Sequence, residues 1–446
     1  MIEGNIRKYL FWFLDFLNGS PILKNLKEIK NINDSNDEAL IERYINKHLE
    51  ELLKYSKINV PYYRKFKHAE LSDFPVSDKL TYKKNIDNFC SVEFKKDKLF
   101  KTITSGSTGT PFVSYQNDKK KKRNTADVIY FGKLAGYKLG EPLFYLKIWS
   151  DNNRKSGFIK FLQNIVPIDV IKLSNKNIKQ LLDKINSKNG KAHMNSYASA
   201  LEEVCKYLDK NSSADAIKNL RAASIMAQSE ALTIETRERL QKYFKCTPCS
   251  RYSNLENGII AQQTLHKNDL FLINRASYFV EILKMDSDIP VKPNELGRIV
   301  VTDLFNYAMP FIRYDTGDIG RFAVNKDNIS DYNYLKEIQG RKLDLLLDTK
   351  GEIVSSYIMY KNMFKYPEIG QFQLIQENKK DYRFIISMNG TFEKEEKLKN
   401  EFLNYLGKDA KFDIEYVKEI PLLSSGKRRK IINNYLKNKS VHMTGH

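Results

Sequence analysis

Residues 38–56, beginning Glu38-Ala-Leu-Ile-Glu-Arg-Tyr-Ile, repeat apolar side chains at helical spacing and end before Pro61, which predicts a helix. Thr125–Ala135 reads as a second helix, and Pro142–Trp149 as a mostly apolar strand. Helical stretches at 176–187 and 199–209 precede a short apolar strand at Ala222–Ala227. Residues 231–244 return to helical spacing, and Cys249–Tyr252 reads as the start of a turn region. Alternation of strand and helix predicts α/β layers. From Leu270 to Leu304 the pattern changes to successive strands, including Tyr278–Leu283 and Gly297–Thr302, as in a sheet or distorted barrel joined to the α/β part. After Gly340 a small α+β module is expected, with strands at 372–375, 382–387 and 412–418 and a helix at 393–406. No internal repeat or low-complexity tract interrupts this order.

Composition narrows the classes. The chain has 446 residues, 41% of them apolar, and its 51 Phe and Tyr side chains argue against disorder. No apolar run approaches the ~20 residues needed to span a bilayer. The longest, Tyr9–Leu17, is broken by Asp15 and lacks a small-residue cleavage site, so no secretory signal is expected. Four cysteines are too few for a disulfide scaffold, and a reducing cytoplasmic location is expected.

The net charge of +20 invites a nucleic-acid reading, but it is spread out: +6 over residues 341–446 and +14 over the rest. The densest run, Lys119–Arg123, is read as a solvated loop or helix start, with an anionic partner as the alternative. No nucleic-acid-binding motif accompanies it, so no nucleic-acid partner is expected. The Tyr9–Leu14 run is read as core or subunit contact, with peripheral membrane contact as the alternative.

Candidate chemistry begins at Thr104-Ser-Gly-Ser-Thr-Gly-Thr-Pro111. A loop of such small residues lets backbone amides approach an anion, and its hydroxyls add donors. It is not a Walker loop, because no Gly-Lys-Ser/Thr closes it, and alone it is equally a plain turn. Four further segments follow in order: Tyr252-Ser-Asn-Leu-Glu256, Tyr314-Asp-Thr-Gly-Asp318, Gly340-Arg341 and Pro421-Leu-Leu-Ser-Ser-Gly-Lys427.

In this order and spacing the five segments resemble the adenylate-forming (ANL) superfamily of acyl-CoA synthetases, adenylation domains and luciferases. Asn59-Val-Pro-Tyr-Tyr63, Phe74-Pro-Val-Ser-Asp-Lys79, Ser229-Glu230 and Gln371-Phe-Gln-Leu-Ile-Gln376 look like its phenylacetate-CoA ligase and CapK branch. The resemblance implies an α/β fold: a large N-terminal domain of several subdomains with a distorted β-barrel portion over 1–340, and a mobile α+β lid over 341–446. It implies that Thr104, Ser105, Gly106, Ser107, Thr108 and Gly109 hold ATP phosphates. Tyr252 would stack on adenine, Glu256 bind Mg2+, Asp318 receive the ribose hydroxyls, and Arg341 sit near ribose and phosphates. Lys427 would bridge the substrate carboxylate and the α-phosphate, where a cation offsets developing charge. By position relative to these motifs, Asn195, Tyr197, Met226, Gln228 and Glu230 are candidate walls of the acid pocket.

The implied activity is AMP-forming ligation: ATP and an organic carboxylic acid give an acyl-adenylate, whose acyl group passes to an acceptor. Coenzyme A is the default acceptor; a sugar or amine, in capsule or surface polysaccharide biosynthesis, is the other. Two rivals are an adenylyltransferase that passes AMP to a hydroxyl and a polyanion-binding protein with a decayed nucleotide site. The chain departs from the family pattern at Leu255, where a threonine is usual, and at Leu343, where a polar hinge residue is usual. Ala261–His266 lacks the cysteines of a zinc site found in close relatives, so no zinc is expected. Cys246-Thr-Pro-Cys249 has no second pair and is read as structural. No Gly-x-Ser-x-Gly elbow supports a serine hydrolase.

Overall fold

A computed structural model describes residues 2–66, 68–104, 112–149, 156–211, 219–341, 346–354, 363, 365, 366, 368–388, 390, 392–421 and 429–436. The chain divides into two compact units: Met1–Leu232 with Thr236–Thr316 and Gly320–Ile338, and Gln339–His446 with Thr233–Glu235 and Gly317–Ile319.

Three helices open the first unit, Ile2–Leu17, Pro21–Asn33 and Glu38–Asn59. Asp15, which interrupts the apolar run, is buried because it caps the second helix: its carboxylate accepts from the Ile22 and Leu23 amides at 3.0 and 2.9 Å. Within the Tyr9–Leu14 run Phe11 is buried, whereas Tyr9 and Phe13 face solvent. No described helix is long and apolar enough to cross a membrane.

The large sheet has twelve strands. Its parallel part is Ile165–Asp169, Leu143–Lys147, His193–Tyr197, Ser224–Gln228 and Pro248–Asn254, in that spatial order. The last of these was expected as a turn; its Pro and Ser content hid a strand whose first four residues are buried. Beyond it the sheet continues antiparallel through Gly258–Gln262, Phe271–Ile273 and Ser330–Arg341 to Tyr314–Val324, Gly297–Asp303 and Tyr278–Leu283. Period-two alternation decides what each face of the parallel part does. Phe144, Leu146, Met194, Ile225 and Ala227 point into a core shared with helices Asn175–Asn186, Ala198–Asn211 and Ile234–Phe244. Their alternates Tyr145, Asn195, Met226 and Cys249 line up in register on the opposite face.

The basic run is a helix start, as expected, with Lys119 and Lys121 exposed, but it is not solvated throughout. Helix Asp118–Leu134 begins inside it, and Lys120, Arg123 and Asp127, spaced for one helical face, point inward. Lys120 is fully buried 2.7 Å from Asp303 and donates to the Tyr278 hydroxyl at 3.0 Å. Arg123 meets Glu28 at 2.7 Å, Ser277 Oγ at 2.9 Å and Asn25 at 3.1 Å, over the Phe305 ring. Burial opposes ionisation of Glu28, yet the Arg123 guanidinium and the Tyr44 hydroxyl hold its carboxyl below the usual range. Burial pushes Asp127 up despite both cations. These charges therefore face one another inside the fold, and are not a solvated face.

The second unit carries a four-stranded sheet in the order Lys411–Tyr416, Asp381–Ser387, Gln371–Gln376, Ile431–Asn433. Helix Glu395–Leu406 contributes Leu398 and Phe402 to its core beside Leu374 and Phe384.

Candidate active site

The Gly-rich loop lies between the strands of a two-stranded antiparallel hairpin, Phe100–Thr104 with Phe112–Gln116, closed by the pair Thr104 and Phe112. Ser105, Gly106, Ser107, Thr108 and Gly109 themselves lie outside the described residues.

Strand Pro248–Asn254 carries Tyr252 to a bulge between Tyr252 and Ser253, a device that re-aims side chains at a strand end. The Tyr252 hydroxyl donates to Thr316 Oγ1 at 3.2 Å, and Thr316 donates to the Ile299 carbonyl at 2.8 Å. The turn that follows presents Glu256, which is buried. Its Oε1 receives Lys79 Nζ at 3.1 Å and the Tyr314 hydroxyl at 3.3 Å. Its Oε2 accepts no hydrogen bond from the described residues. Gln116 donates to the Glu256 carbonyl at 3.0 Å and Tyr278 to the Asn257 carbonyl at 2.7 Å, fixing the turn. Gly258 is required here: its φ is 126°, and a Cβ would come within 2.8 Å of Asn124 Oδ1 and Tyr278 OH. Leu255, at the family's threonine position, is exposed.

Lys79 reaches Glu256 through the segments that carried the branch resemblance. Tyr63, Phe74 and Tyr82 are fully buried with Phe89, Phe311 and Tyr314. Strand Ser77–Asp78 pairs with Tyr314–Asp315, and Asp78 caps the helix Lys79–Lys84 by accepting from Thr81 N at 2.8 Å. The Phe74–Lys79 segment thus orients a lysine onto the acid.

The acid-pocket candidates are gathered on the sheet face opposite the helical core. Asn195 pairs with Met226, and Tyr197 with Gln228, in register. Gln228 Nε2 donates to the Tyr145 hydroxyl at 3.2 Å. Glu230 Oε2 accepts from Ser199 N at 2.8 Å, capping helix Ala198–Asn211, and its charge lies near enough to Tyr197 to oppose ionisation of that hydroxyl. Sequence reasoning missed Arg251, which pairs with Gln228 from the next strand. Its position immediately before Tyr252 is the signal that could have found it.

In the second unit Asp318 lies in strand Tyr314–Val324, after Gly317 with φ 78°. Arg341 ends strand Ser330–Arg341, and Leu343 and Lys427 lie outside the described residues. The described residues Ile420 and Arg429, which precede and follow Lys427 in sequence, both bond to the Gln371–Gln376 strand. Gln371 Oε1 accepts from Ile420 N at 2.8 Å, and Gln373 Nε2 donates to the Arg429 carbonyl at 2.7 Å.

Comparison with known proteins bears on the family and the fold. Residues 346–434 match the CapK C-terminal domain family. The protein CapK of Staphylococcus aureus is 25% identical over 435 residues, which cover 92% of each chain. The chain is thus similar to CapK over most of its length. Its fold is that of the adenylate-forming ligases: a 2-hydroxyisobutyryl-CoA ligase, solved in the postadenylation state with an acyl-AMP, superposes on this chain with a TM-score of 0.68. That match spans 90% of this chain and 91% of the other at 13% identity. ATP-bound MatB from Rhodopseudomonas palustris gives a TM-score of 0.56 at 12% identity, over 76% and 68% of the two chains.

All four cysteines of the chain are free. Burial pushes the Cys246 thiol up to about 12 and the Cys249 thiol up to about 11, which disfavours the thiolates that metal binding or redox chemistry needs. A buried Ser224–His193–Glu141 chain, with contacts of 2.8 and 2.9 Å, superficially resembles a hydrolase triad. Ser224 and His193 stand at the N-terminal ends of their strands with almost no exposure, so no substrate reaches them.

Proposed function

We propose that this chain is an AMP-forming ligase that activates an organic carboxylic acid with ATP and transfers the acyl group to an acceptor. The observation that carries this reading is the buried Glu256 carboxylate at the turn after Tyr252, with Oε1 held by Lys79 and Tyr314 and Oε2 taken by no donor among the described residues. Such a carboxylate oxygen suits a hard cation, and Glu256 would hold Mg2+ there. When bound, that ion would neutralise charge on the ATP phosphates. Tyr252 offers a ring whose hydroxyl is already tied to Thr316, which fixes its plane for stacking on adenine. Asp318 would receive the ribose hydroxyls, with Arg341 near the phosphates and residues 105–109 cradling the β- and γ-phosphates. The acid's carboxylate attacks the α-phosphorus and pyrophosphate leaves. Lys427, on a lid over 341–446, lowers the repulsion between the two anions. The lid then turns, and the acceptor displaces AMP. Coenzyme A is the default acceptor and a sugar or amine the alternative.

Isotope exchange between pyrophosphate and ATP tests the reading. Exchange that requires an added carboxylic acid supports it; ATP turnover that transfers AMP to a hydroxyl without any acid overturns it. Asp318→Ala should weaken ATP binding measured by calorimetry, losing hydrogen bonds to a charged acceptor worth ~1.5–3 kcal/mol each at most.

A further inference from the structure

On the sheet face that gathers Asn195, Met226 and Gln228, the Arg251 guanidinium is only 8% exposed. Its Nε donates to Gln262 Oε1 at 2.7 Å and its Nη2 lies 3.3 Å from Met226 Sδ. Both partners are neutral, and no carboxylate among the described residues pairs with it. Burial accordingly pushes Arg251 down to about 10. Buried arginines elsewhere in this fold are matched: Arg123 has Glu28 and Arg313 has Glu281. Leaving a guanidinium in a dry site without a counter-charge is costly.

Two neighbours share the mismatch. Asn195, 6% exposed, pairs with Met226 and keeps its Oδ1 buried with no hydrogen-bond partner. Lys147 lies on the same face, two residues after Tyr145 and 4.2 Å from the centre of the Trp149 ring, and burial alone pushes its ammonium down. Polar atoms and two cations therefore line a surface at the C-terminal ends of parallel strands, where open α/β sheets receive ligands. Asp169 stands in register beside Lys147 and Glu230 near Tyr197, but neither pairs with Arg251.

We propose that the acid this site takes carries a second carboxylate, at the end remote from the one activated, and that Arg251 receives it. This rests on the ligase reading. The guanidinium fork matches a carboxylate through two parallel donors, and the Asn195 amide, by turning, offers its Nδ2 to the same group. A hydroxyl in that position would leave the arginine charge unmatched, so a dicarboxylic acid is the substrate class.

Matched acids differing only at the remote end, butyrate against succinate and valerate against glutarate, test this. Their binding is read first by calorimetry and thermal shift, without ATP, and then by pyrophosphate exchange. The diacids should bind at least about tenfold more tightly than the methyl-ended acids, the scale of a charge-assisted pair. Arg251→Gln should abolish that preference, Arg251→Lys should keep part of it, and Asn195→Asp should lower diacid binding while sparing the methyl-ended acids. Equal binding of both classes, no binding of any diacid from three to eight carbons, or a preference that survives Arg251→Gln would overturn the proposal. Arg251-dependent diacid binding with no acid-dependent exchange removes the ligase reading and leaves this inference standing. Exchange with methyl-ended acids only does the reverse.

Discussion

Lys79 Nζ stands 3.1 Å from Glu256 Oε1, an ion pair that joins positions 177 apart in sequence. The lysine side chain is 35% exposed and the carboxylate 5%, so the pair sits at the edge of the interior with its acid inside. In the proposed ligase, Lys79 is the resident counter-charge of the oxygen cluster that would meet Mg2+.

The two partners should consequently move the metal requirement in opposite directions. Glu256→Gln should raise the Mg2+ concentration for half-maximal pyrophosphate exchange by ~10-fold or more, the scale of weakening a metal ligand's environment. Lys79→Met should lower that concentration, since a competing cation is gone. A shift in the same direction for both variants would contradict the assignment.

Lys120 and Asp303 should show the asymmetry of a buried pair. Lys120→Met leaves Asp303 buried without its cation and should cost about 3–5 kcal/mol in urea unfolding. The double variant Lys120→Met/Asp303→Leu should recover much of that loss. Equal destabilisation by the single and double variants would mean that packing, rather than charge, dominates.

His193 should make the fold acid-sensitive. Burial holds its imidazole below the ordinary value of 6.5, although Glu141 pulls the other way. The unfolded chain therefore binds the extra proton first, so stability is full above about pH 6.5 and falls as pH drops toward the folded value. The slope is at most ~1.4 kcal/mol per pH unit for one proton. His193→Gln should flatten denaturation midpoints between about pH 7 and 5, and an unchanged slope would show that other groups control that range.

Gln371 and Gln373 should act through the segment that carries Lys427. Replacing both with Leu releases the Ile420 amide and the Arg429 carbonyl, and should reduce exchange by lowering kcat while leaving the KM for ATP unchanged. Lys427→Ala should lose exchange ~100-fold or more, the scale of removing a charge-stabilising donor, yet still release AMP from a synthetic acyl-adenylate given the acceptor. Full exchange without Lys427 would remove the lid from the chemistry.

Legibility in the sequence followed the range of the forces involved. Helices at 38–56 and 176–187 were readable because their apolar stripes are local, and they appear as Glu38–Asn59 and Asn175–Asn186. The motif segments were readable as well, since each is contiguous. The Lys119–Arg123 run was readable as a helix start, but the burial of Lys120 and Arg123 was not, since it depends on Asp303 and Ser277, more than 150 positions away. Arg251 was hidden for the opposite reason, since what sets it apart is that no acid among the described residues pairs with it. Lys79 lay inside a quoted segment, but only the pairing of Ser77 with Tyr314 aims it at Glu256.

The inward face of helix Asp118–Leu134 also sets an order of assembly. Arg123 holds Glu28 and Asn25 on one side and Ser277 on the other, while Asn33 bonds Asn274 and the Ala276 amide. Ile29, Ile32, Ile41 and Ile45 are buried against Ile259, Leu272 and Ala276. During synthesis at ~5–20 residues per second, roughly 12–50 seconds separate the emergence of these helices from that of their partners. For that interval the N-terminal helices have no finished surface to close on, so nascent chains shorter than about 280 residues are the species that chaperones should engage.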